Sequence, residues 1–453
     1  MIAPTRPKAK VVNAAQPVKR PPRPERTIIA APEGEKGQGT EEEDNKTRSG
    51  VTPPFAALRD GRWGRFFPFG STCLRASPQS LPICYNPAMS PFLSIRRSLL
   101  HWYDRNGRQM PWRVRRPGRA DPYHVLVSEA MLQQTQVATV IDYFNRFIAA
   151  FPTVEHLAAA SEQEVLRLWQ GLGYYRRAKH LHRAAQRIVT EHGGQVPRDV
   201  NALLDLPGVG RYTAGAIASI AYDVRAPILD GNVARVLARC FGIEEPVDAP
   251  ATRKQFWQLA EELTAPSRPG DFNQAMMDLG AMVCTPRRPS CVTCPLARYC
   301  RAKATDRVDE LPRTLPRRAP RTVTHHILAI ERGGRYLVQQ RPASGLWANL
   351  WQLPTAEEVP IDGLTAWAAE QLGLQLGELQ PLDRFTHQTT HRTIRFELWR
   401  TSVAGGRLKR GAGEWRALDD MYDLPLGNPQ VRAIEQLQAK RSHPKRSPSP
   451  APT

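Results

Sequence analysis

Nowhere in the 453 residues is there a run of about eighteen apolar side chains, so no segment reads as a membrane-spanning helix. Acidic residues are also short. Forty-three Asp and Glu stand against 63 Lys and Arg, a formal balance of +20. Such a deficit of negative charge points to a polyanionic partner, nucleic acid first and an acidic membrane surface second. Cysteine is scarce and unevenly placed: of seven, Cys284, Cys291, Cys294 and Cys300 fall within seventeen positions, while Cys73, Cys84 and Cys240 are scattered. That crowding in a long chain fits a metal site in a reducing compartment better than a disulfide framework. An intracellular, monomeric protein is expected, cytoplasmic and, in a bacterium, associated with the nucleoid.

The first 88 residues lack the apolar content of a core, are rich in Pro, and carry 14 basic against 8 acidic residues. They read as a disordered tail. Its acidic run, Glu41, Glu42, Glu43 and Asp44, argues against a transit peptide. Ordered sequence begins just past Met89, which is therefore read as the working start, with the preceding tail dispensable or untranslated.

What is present divides into two patterns. Residues 93–301 are helical throughout, residues 302–322 form an Arg/Pro-rich linker, residues 323–439 alternate as an α+β domain, and residues 440–453 form a second disordered tail. In the helical part, 122–151 opens with Pro122 and carries apolar residues at helical spacing. Ser161 and Glu164 make a capping box, and a helix from about Tyr174 stops at Gly193-Gly194. Further helices begin near Asn232 and span 272–282. In the second part, HHILAIERGGRYLVQQR (325–341) reads as two strands around Gly333-Gly334. A helix is expected over 362–372, strands from about Arg384 and Thr393, and a last helix from Pro429.

Chemistry concentrates in LPGVGRYTAGAIASIAYDVRAPILDGN (206–232). Its Leu206-Pro-Gly208-Val-Gly210 turn between helices suits close approach of a phosphate backbone, with free amides at the next helix start facing the anion. Asp230 precedes a new helix as an N-cap, where the helix dipole favours its ionised form. Glu129 lies in the largely apolar VLVSEAMLQQ, where desolvation raises proton affinity and suits a general acid. Gln133, at i+4, and Gln134 bring amides to the same face. One protonated and one charged carboxyl is the pair that glycosidic cleavage needs. The four cysteines, spaced x6, x2 and x5, can close either a zinc site or an iron-sulfur cluster.

The LPGVG hairpin with Asp230 downstream resembles the helix-hairpin-helix DNA glycosylase superfamily. SEAMLQQTQVATV (128–140), GLGYYRRAKHL (171–181), PILDGNVARVLAR (227–239) and FNQAMMDLGAMVC (272–284) resemble its MutY adenine-DNA-glycosylase branch. The resemblance implies a mainly α glycosylase domain with a four-cysteine iron-sulfur loop, followed by an α+β Nudix-like domain. It implies a monofunctional enzyme that removes adenine mispaired with 8-oxoguanine or guanine in duplex DNA, starting base excision repair. Within it Glu129 protonates the leaving adenine, Asp230 meets the sugar cation, and Tyr212 and Asn232 match active-site positions beside them. Gln133, Gln134 and Tyr174 match positions that read the mispair and wedge into the duplex as adenine is flipped out.

The likeness also turns the cysteine set into a [4Fe-4S] cluster, with Arg287 and Arg288 held toward phosphate. Tyr212 replaces the Schiff-base Lys of the endonuclease III branch, and Ala234 stands where some bacterial members have a trapping Lys. The second domain resembles the Nudix-like module that reads 8-oxoguanine. It keeps Glu370 and Gly373, but Ala366, Trp367 and Gln371 break the metal-binding box of a hydrolase. In RFTHQTTHR (384–392), Thr390 and His391 can hydrogen-bond to the oxidised base, whereas Thr389 cannot stack as the usual Phe does. Two competing expectations stand beside this one: an endonuclease III-like glycosylase acting on other mispaired or damaged bases, and a non-catalytic DNA-binding protein.

Overall fold

The structure is a computed structural model that describes residues 91–316 and 319–442. The expectations for the tail 1–88, for a start at Met89 and for residues 443–453 lie outside the described residues. The helical part comprises α1 (Pro91–Asn106), α2 (Pro122–Leu132), α3 (Val137–Ala150), α4 (Val154–Ala159), α5 (Glu162–Leu168), α6 (Arg176–His192), α7 (Val200–Leu204), α8 (Arg211–Tyr222), α9 (Gly231–Phe241), α10 (Pro250–Leu263), α11 (Pro269–Met282) and α12 (Arg301–Ala304). No helix among the described residues is long and apolar enough to cross a membrane.

Two apolar cores form. Val127, Met131, Phe147, Trp169, Ile188 and Ile217 knit α2, α3, α5, α6 and α8 together, with side chains at most 0% exposed. Leu99, Val236, Phe256, Phe272 and Leu279 join α1, α9, α10 and α11. Burying each such side chain stabilises by about 1.5–3 kcal/mol. Helix α8 serves both, placing Ala214 and Ile217 in the first core and Ala216 in the second. Its small residues let neighbouring helices approach closely.

The helix ends follow local rules. Asp121 caps α2, its carboxylate accepting from the amides of Tyr123 at 2.7 Å and His124 at 3.3 Å, and Pro122 takes a first-turn position that needs no N–H donor. The expected capping box of Ser161 and Glu164 starts α5, and Gly193, at φ 59°, ends α6 in the left-handed region. The stretch 122–151 is not one helix, however. It breaks at 133–136, with Gln134 at φ 59°. Apolar spacing alone could not reveal that break, because both halves keep helical periodicity. Its effect is to turn Gln133 and Gln134 away from Glu129.

Between α7 and α8 the Leu206–Gly210 turn closes with the Val209 amide donating to the Leu206 carbonyl at 3.1 Å. Gly208 has φ +79°, and a Cβ there would lie 2.6 Å from His180 Cβ on α6. Glycine is therefore required by a protein neighbour as well as by the backbone conformation. Leu206, grouped with the DNA-facing residues on sequence grounds, is 2% exposed and seats the turn in the core. Its side chain cannot reach a phosphate.

The second part is a mixed sheet of β1 (Arg321–Arg332), β2 (Arg335–Gln340), β3 (Trp351–Gln352), β4 (Thr355–Glu357), β5 (Leu374–Leu376), β6 (Gln380–Gln388), β7 (Arg392–Gly406) and β8 (Glu414–Arg416). Strands β1 and β7 pair in parallel at its centre, and the other pairings are antiparallel. Along β1 the side chains alternate between faces. Ile327 and Ala329 pack with Ile434 and Leu437 of α14 (Asn428–Ser442), while Leu328 and Ile330 pack with Leu364 and Leu372 of α13 (Leu364–Leu372). The β1–β2 turn at Gly333 and Gly334 has φ of 59° and 76°, the left-handed pair that tight hairpins require.

The two parts are docked by polar contacts from α5 and the turn before α6. The Tyr175 hydroxyl donates to the Leu426 carbonyl at 2.9 Å, and the Leu426 amide donates to Gln170 Oε1 at 3.1 Å. Asn349 Nδ2 donates to Glu162 Oε1 at 2.6 Å, and Trp351 Nε1 to Gln163 Oε1 at 3.3 Å. This seam fixes the sheet's β6–β7 turn opposite α6.

Replacing Gly208 by Ala forces a Cβ into His180 at a left-handed backbone position. The expected loss is about 1–3 kcal/mol of unfolding free energy in a denaturant titration. Unchanged stability would show that the turn can relax.

Candidate active site and DNA cleft

A cavity of about 530 Å³ opens where the two helical cores meet. Glu129 from α2, Tyr212 from α8, and Asp230 and Asn232 at the start of α9 all line it. Four residues spread over a hundred positions of sequence thus share one space. Glu129 is 5% exposed, while Tyr212, Asp230 and Asn232 are partly open.

Desolvation pushes the Glu129 carboxyl up to about 7, against the opposing pull of the Tyr212 hydroxyl bond and the Arg113 charge. The negative charge of Asp230 pushes the same way as burial. Glu129 is thus half-protonated near neutral pH, as a general acid needs. The Tyr212 hydroxyl also lies 3.0 Å from Met277 Sδ, and burial drives its own proton affinity upward, so it stays neutral.

Asp230 caps α9 as expected, accepting from the Val233 amide at 2.7 Å and from Asn232 Nδ2 at 3.0 Å. The expectation of a carboxyl governed by the helix dipole needs correction. Burial raises its proton affinity above the ordinary value, and the hydrogen bonds from Val233 and Asn232 and the Arg235 charge work against that rise. Specific donors, and not the dipole alone, oppose that rise. Asn232 is itself oriented by Arg235 Nη2, which donates to its Oδ1 at 2.8 Å and to the Gly280 carbonyl at 2.9 Å.

Sequence reasoning missed the layer beneath. Asp278, 0% exposed, bonds the amide of Arg108 at 2.9 Å and Arg113 Nη1 at 2.8 Å, and pairs with Arg108 Nη2 at 2.7 Å. Arg108 and Arg113 line the cavity beside Glu129. A single charged residue in the buried stretch FNQAMMDLGAM is the available signal. Gln133 and Gln134 do not line this cavity.

They line a second space instead, a cleft of about 1050 Å³ between the helical part and the sheet. Tyr174, Gly208, Thr390 and His391 share it with them. Tyr174 is 48% exposed at φ 49°. Arg176 and Arg183 on the cleft wall are exposed, as are Thr390 and His391. Thr389 spends its hydroxyl on the β6–β7 turn, donating to the Arg392 carbonyl at 3.1 Å. Gly210 begins α8 with nothing within 4 Å of its would-be Cβ and no side-chain cap, leaving the helix amides open. Arg287 and Arg288 are exposed but line neither space.

Cys284, Cys291, Cys294 and Cys300 are free thiols on one loop that folds against α9. Among the described residues no group of three or more His, Cys, Asp and Glu is spaced to hold a metal ion. Burial, together with the charges of Cys284, Cys300 and Cys291, raises the proton affinity of the Cys294 thiol. Backbone amides of Leu296 and of Ala302 and Lys303 bond the sulfurs of Cys294 and Cys300, and Arg239 Nη1 lies 3.4 Å from Cys284 Sγ. Arg239, 2% exposed, further bonds the Thr285, Pro286 and Leu311 carbonyls, and Arg235 Nε donates to that of Cys284. Helix α9 therefore carries Asp230 at one end and braces the cysteine loop along its length.

A deep acid, an amide-held carboxylate and a cationic cleft on a helix-hairpin-helix scaffold define the class of a base-excising DNA glycosylase with a Nudix-like domain. The family model for the HhH-GPD superfamily base excision DNA repair protein matches residues 127–262, and a NUDIX domain model matches 326–436. Similar proteins include the adenine DNA glycosylase of Rattus norvegicus, 39% identical over 69% of this chain and 71% of that one. The adenine DNA glycosylase of Homo sapiens is 38% identical over 69% of this chain and 67% of its own. That of Buchnera aphidicola subsp. Acyrthosiphon pisum is 34% identical, covering 65% and 82%. The chain belongs to the adenine DNA glycosylase family.

The raised proton affinity of Glu129 has a thermodynamic consequence. Between pH about 4.5 and 7 the folded chain holds a proton that the unfolded chain has released, so this residue's contribution to stability falls as pH rises through that window. Glu129→Gln removes the cost of ionising in the cavity. The variant is expected to gain about 2–3 kcal/mol over the parent at pH 8 and nothing at pH 4, read from denaturant unfolding at both values. An equal difference at both pH values would place the titration elsewhere.

Proposed function

We propose that the protein removes adenine from duplex DNA by hydrolysing its N-glycosidic bond, acting on adenine opposite 8-oxoguanine or guanine at the start of base excision repair. The observation that carries this reading is the shared cavity of Glu129 and Asp230, one carboxyl almost fully desolvated and one held by donors. Membership of the adenine DNA glycosylase family supplies the leaving base. The domains that carry the two halves of the task are residues 93–301 and 323–439.

In this mechanism adenine must leave the stack to reach the cavity, since the glycosidic bond is inaccessible within the duplex. Glu129 gives its proton to a ring nitrogen of the base. The C–N bond breaks with its electron pair going to adenine, and the sugar is left as an oxocarbenium cation facing the Asp230 carboxylate. Water adds to the sugar carbon and loses a proton, giving an abasic site. Tyr212 holds Glu129 and offers no amine, so no Schiff base forms and the enzyme is monofunctional. Asn232 orients Asp230.

The cleft is the seat of the distorted duplex. Gln133, Gln134 and Tyr174 enter at the mispair from one side, with Tyr174 replacing part of the lost stacking. Thr390 and His391 read the opposite base from the other. Gly208, Gly210 and the open amides of α8 hold a phosphate, and Arg287 and Arg288 hold others. Although the four thiols do not form a metal-holding group in this structure, their place on one short loop with amide and Arg239 donors supports a [4Fe-4S] cluster, which would supply a rigid brace for this loop.

Single-turnover excision assays on adenine opposite 8-oxoguanine, guanine and thymine test substrate and mechanism together. Asp230→Asn is expected to slow release by about 100-fold or more, in keeping with loss of about 3 kcal/mol of charge stabilisation. Rates equal to the parent, or equal rates on all three pairs, would overturn the proposal.

A further inference from the structure

Leu346 is a large apolar side chain left 38% exposed, and it lines the cleft together with Tyr174. Single exposed leucines are ordinary. This one is not placed as an ordinary one, because the loop that carries it, residues 342–349, is tied down at Pro342, Leu346 and Asn349. Arg341 Nε donates to the Leu346 carbonyl at 2.8 Å, while its Nη1 is held by Gln352 Oε1 and Glu357 Oε1, each at 2.8 Å. The Arg341 amide bonds the Leu350 carbonyl and the Asn349 amide bonds that of Pro342. Asn349 reaches across to Glu162, and Gln163 Nε2 donates to the Asn349 carbonyl at 3.2 Å.

The backbone of this loop is also strained at Trp347. Gly345, Trp347 and Asn349 have φ of 88°, 55° and 63°, and for a bulky Trp that conformation is costly. The strain is held by packing of Trp347 between His387, 5.7 Å away, and Phe396, 6.1 Å away. What it achieves is to present residues 343–346, all exposed, to the cleft beside Thr389, Thr390 and His391. A cleft lined by a fixed apolar tip and an exposed aromatic, together with the exposed cations Arg176 and Arg183, matches a ligand with an apolar face and flanking negative charge. A nucleic-acid base flanked by phosphates has that chemistry, and a preorganised tip binds it with little ordering penalty.

We propose that Leu346 is a base-contacting residue for the adenine-excision reaction: its side chain packs on the face of the base left unpaired opposite the flipped adenine. Arg341 and Trp347 are positioning residues for it. This rests on the assignment of the cleft to DNA made above. Leu346 thereby supplies the apolar contact that Thr389, tied into its turn, does not make.

The test compares full-length parent, Leu346→Ser, Leu346→Met and Tyr174→Ala on two duplexes, one with adenine opposite 8-oxoguanine and one with adenine opposite an abasic residue. Leu346→Ser is expected to lower kcat/KM about fivefold to tenfold on the first duplex and less than twofold on the second, with an unchanged unfolding midpoint and with Leu346→Met close to the parent. Equal loss on both duplexes, or no loss on either, overturns the inference. If Tyr174→Ala still shows its loss in that case, only the role of Leu346 fails; if neither substitution has an effect, the assignment of the cleft to DNA fails with it.

Discussion

Withdrawal of the Glu129 carboxyl from water is the constraint on which the rest depends. A carboxyl moved into an apolar wall either neutralises or finds charge partners. Here the partners are held back: Tyr212 offers one hydroxyl, and the Arg113 guanidinium, although it lines the same cavity, is engaged by Asp278. The Asp278 network thus keeps two cations next to the acid without letting them ionise it fully. Asp230, whose bonds to Val233 and Asn232 favour its charge, completes a pair whose members differ because their donors differ.

Helix α9 converts that local chemistry into architecture. Its first residues hold the carboxylate, Arg235 ties Asn232 to the Cys284 carbonyl, and Arg239 ties the helix to the loop after Cys284 and to the chain leaving toward the sheet. Displacement of the cysteine loop would therefore be felt at Asp230 through two arginines. On the other side, α5 and the turn before α6 hold the sheet so that the β6–β7 turn faces Tyr174 across the cleft. The Glu129 cavity and the cleft share α2 between them, Glu129 on the helix and Gln133 at its end.

The sequence was most legible where chemistry and local structure coincide. Asp230 is both a cap and a site residue, Glu129 stands out as a charge among apolar neighbours, and the strands around Gly333-Gly334 announce themselves by turn residues. Legibility failed where tertiary contacts decide. The break after Leu132 leaves helical periodicity intact, so the sequence alone places Gln133 and Gln134 on the face of Glu129, whereas both line the cleft. Leu206 carries a motif's reputation yet serves the core, and Gly208 answers to His180, some thirty residues away, as much as to any phosphate. Arg113 and Asp278 are separated by most of the domain, and nothing local marks them as a pair. The loop bearing Leu346 and Trp347 was invisible because its strain is set by the sheet beneath it.

Whether burial makes Glu129 the acid is read from the pH dependence of single-turnover adenine release. The expected rate holds below about pH 7 and falls about tenfold per unit above it, with Glu129→Gln inactive at every pH. A rate that stays level from pH 6 to 9, or a Glu129→Gln variant that retains the parent's activity, would contradict it.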